Sequence, residues 1–201
     1  MQHHNTTSTT SPPTPDELVQ GRTVQRLTRQ MLGGANWFFW IAGLSMLNSI
    51  LGLLQIDLGF TLGLWATQFF DAWGMKVGGP GPVIAMTFDV TVVGLLMVVG
   101  ILARQSQGWI FVLGLGLYLL DAMLLLGWAV PVLRQGATPE ELGPIVFSSA
   151  GHLYALYRLF QGWQACQAID MLAQAAQNNH AMHEVVTPPP PSSGPTYIVR
   201  Y

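Results

Sequence analysis

The strongest constraint on this chain is a run of twenty-four residues, 109–132, in which Asp121 is the one charged side chain. A helix rises about 1.5 Å per residue, and about 20 mostly apolar residues cross a hydrocarbon core of roughly 30 Å. The run therefore predicts a transmembrane helix. A carboxylate at mid-depth costs about 2.5 to 3.5 kcal/mol on insertion scales, so Asp121 must face other helices or water, or be neutral.

The composition places the whole chain in the membrane class. Half of the 201 residues are hydrophobic and 9% are charged, against about 25% charged residues in an ordinary soluble domain. The net charge is −2 with eight Lys and Arg residues, which argues against nucleic-acid binding because no basic surface can neutralise a run of phosphates. The single cysteine, Cys166, excludes an internal disulfide and a site built of cysteines alone.

Three further apolar stretches predict additional spans. They cover residues 36–55, 82–102 and 144–163. The first opens with Trp37 and Trp40, as an interfacial aromatic belt would, and the second opens with Pro82, a residue favoured at helix starts. We therefore predict an all-α fold, a polytopic membrane helical bundle with four transmembrane helices.

A fifth apolar segment is too short to span. About fifteen residues within 60–74 are apolar and aromatic, with Trp65, Phe69 and Trp73 on one helical face. The glycines and prolines of KVGGPGP then end any helix. An apolar stretch of this length is typical of a re-entrant or interfacial element, so we predict one half-helix in the outer leaflet.

The regions around the spans differ in composition. Val24, Leu27 and Met31 share one helical face, which predicts an amphipathic helix at 16–32, either lying on an anionic leaflet or forming a solvated lead-in; Gly33-Gly34 is expected to end it. The predicted order is a disordered tail (1–15), the amphipathic helix (16–32), the four-helix transmembrane domain (33–165), a cytoplasmic helical extension (166–186) and a Pro-rich disordered tail (187–201).

The distribution of basic residues predicts the orientation. Lys and Arg in short flanks accumulate on the cytoplasmic side. Five arginines fall on one side and two basic residues on the other: Arg22, Arg26, Arg29, Arg104 and Arg158 against Lys76 and Arg134. Both termini are therefore expected in the cytoplasm.

Six polar or charged residues within the predicted spans form the candidate site: Asp89, Tyr118, Asp121, His152, Tyr154 and Arg158. Counting residues from the predicted outer ends puts Asp89 level with His152 and Arg158 about two residues deeper than Asp121. This predicts an Asp121–Arg158 pair with both tyrosines beside it, acting either as an interhelical clasp or as a proton- or ligand-handling site. Arg158 could alternatively extend toward the cytoplasmic surface.

The same residues give no support for catalysis. His152 has no second histidine or carboxylate at i+3 or i+4 that could complete a metal site. Ser148 and Ser149 precede it on the same helix, where serine hydroxyls commonly bond their own backbone. We expect neither catalytic nor metal-ligating residues, and no motif identifies a cofactor.

Three segments, GGANWFFWIAGLSMLNSILGLL, GFTLGLWATQFFDA and GLGLYLLDAMLLL, together resemble a group of uncharacterised small bacterial integral membrane proteins with about four spans. The resemblance covers residues 33–164 and implies a bacterial inner-membrane protein, without an activity or ligand. Two functions are expected: a structural or accessory protein with protein partners in a membrane complex, or a carrier or binding protein for a proton, a lipid or a quinone-like ligand.

Overall fold

The computed structural model describes residues 15–54 and 63–186, which form five helices. Their bounds are α1 Pro15–Leu53, α2 Trp65–Val77, α3 Gly81–Ala103, α4 Gly108–Arg134 and α5 Pro139–Val186. The all-α prediction is confirmed for this part of the chain. The predicted tails, apart from Pro15, and the start of the predicted half-helix at 60–62 lie outside the described residues.

Three of these helices are long and apolar enough to cross a membrane: α1, α3 and α4. This agrees with the predicted membrane character. α5 is not among them, since the stretch expected to span, 144–163, contains serines, His152 and Arg158 among its apolar residues.

The aromatic ring of Phe38 on α1 packs against α3 and α4. This side chain is fully buried on α1, and its ring centroid lies 6.1 Å from that of Phe111 on α4. A Cβ placed at Gly100 of α3 or at Gly114 of α4 would meet the Phe38 side chain. Phe38 therefore joins α1 to both α3 and α4 in the core.

α1 continues without a break through Gly33-Gly34, so the predicted end of the first helix there is wrong. Glycine weakens a helix by about 1 kcal/mol relative to alanine, and packing can offset this when two backbones need to approach. A Cβ at Gly34 would lie 2.6 Å from Gly162 Cα on α5. The glycine pair thus permits the α1–α5 crossing instead of ending the helix.

α5 begins at Pro139, five residues before the predicted start at Pro144. Thr138 and Glu141 form a reciprocal cap: the Thr138 N–H donates to Glu141 Oε2 at 2.8 Å, and the Glu141 N–H donates to Thr138 Oγ1 at 3.4 Å. This is the capping-box arrangement of a helix start, with proline at the first helical position.

The short helix α2 lies against the first half of α3. Its thirteen residues rise by about 20 Å. The Phe70 and Phe88 ring centroids are 3.9 Å apart, and a Cβ at Gly74 would lie 2.7 Å from the Gly81 carbonyl oxygen. α2 therefore ends beside the first residues of α3, and the two helices form a close hairpin.

Candidate functional site

The N-terminus of α2 is capped by a carboxylate from another helix. The Trp65 N–H donates to Asp121 Oδ2 at 2.9 Å, and the Ala66 N–H donates to Asp121 Oδ1 at 2.8 Å. The residue before the helix, Leu64, provides no side-chain cap. Because the first N–H groups of a helix have no intrahelical partner and carry partial positive charge, Asp121 of α4 supplies both the acceptor and the charge that this helix end requires.

A serine of α1 completes the same attachment. The Leu64 N–H donates to Ser45 Oγ at 2.7 Å, and the Ser45 hydroxyl donates to the Ile41 carbonyl at 2.8 Å. Ser45 is fully buried. Three successive N–H groups at the start of α2 are thus bonded by side chains of α1 and α4, which fixes this helix end within the bundle.

His152 of α5 joins the Asp121 carboxylate. Its Nε2 lies 3.0 Å from Asp121 Oδ2, and its Nδ1 lies 2.9 Å from the Ser148 carbonyl oxygen. Both ring nitrogens of His152 therefore lie within hydrogen-bond distance of an oxygen, and the imidazole connects α5 to the carboxylate of α4.

Tyr118 packs flat against the imidazole. The two ring centroids are 5.1 Å apart with an interplanar angle of 7°, and Tyr118 is buried. Of the six candidate residues, the structure therefore brings together Tyr118, Asp121 and His152. We call these three the Asp121 cluster.

The predicted Asp121–Arg158 pair does not form: His152 is the basic partner of Asp121 among the described residues. A Cβ at Gly33 of α1 would lie 3.2 Å from an Arg158 terminal nitrogen, which places this side chain at the α1–α5 crossing. Measured from the observed helix ends, Asp121 precedes Arg134 by thirteen residues, and His152 follows Pro139 by thirteen. The two are therefore level, whereas Arg158 lies six residues deeper, about 9 Å along the helix.

The other two candidates also lie apart from the Asp121 cluster. Tyr154 is exposed and contacts Trp37 edge to face, with ring centroids 5.1 Å apart. Asp89 is fully buried on α3 and accepts a hydrogen bond of 2.6 Å from the Ser49 hydroxyl of α1. The prediction that Asp89 is level with His152 is wrong. Because α5 starts earlier than predicted, His152 is correspondingly deeper.

Sequence reasoning missed the backbone at residues 64–66 and the role of Ser45. The small and polar residues Gly43, Ser45, Asn48 and Ser49 of α1 are typical of close helix packing in membranes. A backbone N–H donor leaves no sequence signal. Across the described residues, no three His, Cys, Asp or Glu side chains converge as a metal site would require.

Comparison with known proteins finds no relative of this chain: no family model, curated protein or solved structure matches it.

Proposed function

We propose that the chain is a four-span inner-membrane protein with a re-entrant half-helix, and that it serves as a structural or accessory subunit of a membrane complex. The observation that carries this proposal is the bonding of Asp121, both of whose oxygens are used to hold α2 and α5 to α4. A carboxylate bonded in this way stabilises the bundle. An intramembrane ionisable group without such partners would be a first candidate for ligand handling.

The contacts of α5 support a fourth span. His152 lies level with Asp121 on α4, a helix able to cross the membrane. A residue packed at the same level of a spanning helix shares its depth, so α5 crosses the hydrocarbon core beside α4. Two of its polar side chains, Ser148 and His152, are turned toward other helices, which allows a span of low hydropathy.

The contacts of α2 support a re-entrant half-helix. It starts at Asp121, near the middle of α4, and ends beside the start of α3. A helix with one end at mid-depth and the other at the surface covers half of the bilayer. By the distribution of arginines this is the outer half, with both termini in the cytoplasm.

Cysteine labelling tests this topology. In a Cys166→Ser background, Lys76→Cys is expected to react with a membrane-impermeant maleimide added from outside, because Lys76 is exposed in the last turn of α2. Trp65→Cys is expected to react from neither side. Gln105→Cys, in the exposed connection between α3 and α4, is the control that should react only from the cytoplasm. Labelling of Lys76→Cys from the cytoplasm would exclude the half-helix.

The proposed partner contact lies where α1 and α5 extend past the other helices. Ser106, in the connection after α3, contacts Met31 and accepts a hydrogen bond from Cys166, and Asp170 lies beside Gly108. Residues 15–30 of α1 and 171–186 of α5 therefore run beyond this connection. Between them is a groove of about 700 Å³ lined mainly by apolar residues, among them Val19 and Leu172. Val19 is 62% exposed. Exposed apolar patches in water mark protein contacts, so we propose that an apolar helix of a partner subunit fills this groove.

Purification in mild detergent followed by native mass spectrometry tests the accessory role. The expected result is a stoichiometric protein partner that is lost in Leu172→Glu and retained in Gln167→Glu, a charge added at an exposed polar position of the same helix. A complex with the mass of two copies of this chain would show self-association instead of binding to a different protein. A small molecule bound at the Asp121 cluster, without a protein partner, would overturn the proposal in favour of a carrier.

A further inference from the structure

A second buried carboxylate lies apart from the Asp121 cluster, where α1, α2 and α3 meet. Asp89 has no exposed surface. Its Oδ2 atom accepts the Ser49 hydroxyl hydrogen bond at 2.6 Å. Its Oδ1 atom is buried and has no hydrogen-bond donor among the described residues. An unsatisfied buried acceptor costs about 1 to 3 kcal/mol and more when it is charged, so this oxygen calls for a ligand that brings positive charge or a hydrogen.

Asp71 of α2 is the group that faces it. The two side chains are close enough for the charge of Asp71 to act on Asp89, because α2 and α3 pack together here through the Phe70 and Phe88 rings and through Gly74 and Gly81. The groups identified around Asp89 are then Ser49 from α1, Asp71 from α2 and the stacked Phe70 and Phe88 rings at the same hairpin. No lysine or arginine forms an ion pair with either aspartate within the described part of the chain.

Two ionised carboxylates can only accept hydrogen bonds, so a bond between them requires one added proton. Like charges in such a site also cannot both remain ionised at low cost. A metal ion is a poorer fit, since the converging oxygens come from two carboxylates and one hydroxyl, and Na⁺- or Ca²⁺-type ions take more ligands.

We propose that Asp71 and Asp89 form a proton-binding site in which one proton is shared between their carboxyl groups. Asp71 also lines a cavity of about 210 Å³ with Leu53, the last residue of α1, and Pro82, near the start of α3. The proton enters by this route from the end of the bundle where α1 ends. With the proton bound, the α2–α3 hairpin is closed; without it, two like charges push α2 away from α3.

Infrared difference spectroscopy of the purified full chain in lipid nanodiscs tests the site. Between low and high pH, the C=O stretch of one protonated carboxyl group is expected to disappear. Asp71→Asn and Asp89→Asn should each remove this band completely. Asp170→Asn, which changes an exposed aspartate of α5, should leave it unchanged. A band that persists in both site variants, or a wild type without a pH-dependent carboxyl band, would overturn the proposal.

Two further measurements distinguish a proton site from its alternatives. Replacing choline chloride with sodium chloride at constant pH should leave the band unchanged. Loss of the band with sodium would assign the site to a metal cation and overturn the proton assignment.

Thermal unfolding should shift to lower temperature as the pH rises in the wild type. This shift should be absent in Asp71→Asn, whose amide can donate to Asp89 at every pH. Equal pH dependence in both proteins would contradict a shared proton.

Discussion

Asp121→Ala is expected to destabilise the protein by about 3 to 5 kcal/mol, the usual cost of removing one partner of a buried pair. The substitution leaves His152 without its acceptor and removes the cap from the Trp65 and Ala66 N–H groups. The free energy of unfolding in mixed micelles, followed by tryptophan fluorescence, measures the loss. Since α2 carries Trp65 and Trp73, its detachment should also alter the fluorescence before global unfolding.

Asp121→Asn should cost less than Asp121→Ala. The amide keeps one oxygen that can accept from a single N–H of α2, but the second position becomes a donor and loses the negative charge that the helix end favours. An asparagine variant as unstable as the alanine variant would show that the charge, and not the hydrogen bonding, holds α2.

A double-mutant cycle identifies the partner of Asp121. Because His152 contacts Asp121 at 3.0 Å, the losses in Asp121→Ala and His152→Ala should combine to less than their sum, since the second change removes a group already left unpaired. Arg158→Gln is the matched control, since Arg158 lies at the α1–α5 crossing, and its effect should add to that of Asp121→Ala. The structure would be contradicted if the losses in Asp121→Ala and His152→Ala were additive while those in Asp121→Ala and Arg158→Gln were not.

Gly34→Ala is expected to lower the stability by about 1 to 3 kcal/mol, the usual range for overpacking. The new Cβ would lie 2.6 Å from Gly162 Cα and 3.0 Å from the Arg158 carbonyl oxygen. Both obstacles are backbone atoms, so a side-chain rotation cannot relieve them and α1 and α5 must separate. The same unfolding measurement reports the loss.

Gly43→Ala is the control on the same helix. Nothing lies within 4 Å of a Cβ at Gly43, so alanine should be neutral there or stabilise the helix by up to about 1 kcal/mol. Gly162→Ala, whose Cβ would lie 2.9 Å from Gly34 Cα, should repeat the Gly34 loss. Equal stability of the Gly34 and Gly43 variants would contradict the close α1–α5 crossing at Gly34.

One overlooked signal explains the wrong partner for Asp121. Thr138, Pro139 and Glu141 carry a helix-start pattern that is readable in the sequence, whereas the apolar run beginning at Pro144 predicts a later start for the last span. Depth counted from Ile145 and Val132 makes Arg158 and Asp121 nearly level. Counted from the observed ends, Pro139 and Arg134, the same method places His152 at the level of Asp121.

The sequence by itself determined the all-α class and the three helices that can cross a membrane, since long apolar runs with few charges have no other stable arrangement in a bilayer. It also marked Asp121 as a group that needed partners, because an isolated carboxylate in hydrocarbon is costly. These conclusions depend on local composition and length alone.

Only the tertiary structure decided what meets Asp121. Two of its partners are backbone N–H groups of Trp65 and Ala66, which every residue except proline carries and no pattern reveals. Whether Gly34 ends a helix or allows a close crossing likewise depends on Gly162, which is distant in sequence. The proximity of Asp71 and Asp89 arises from the α2–α3 hairpin, since helix packing brings together side chains whose separation in the sequence carries no information about contact.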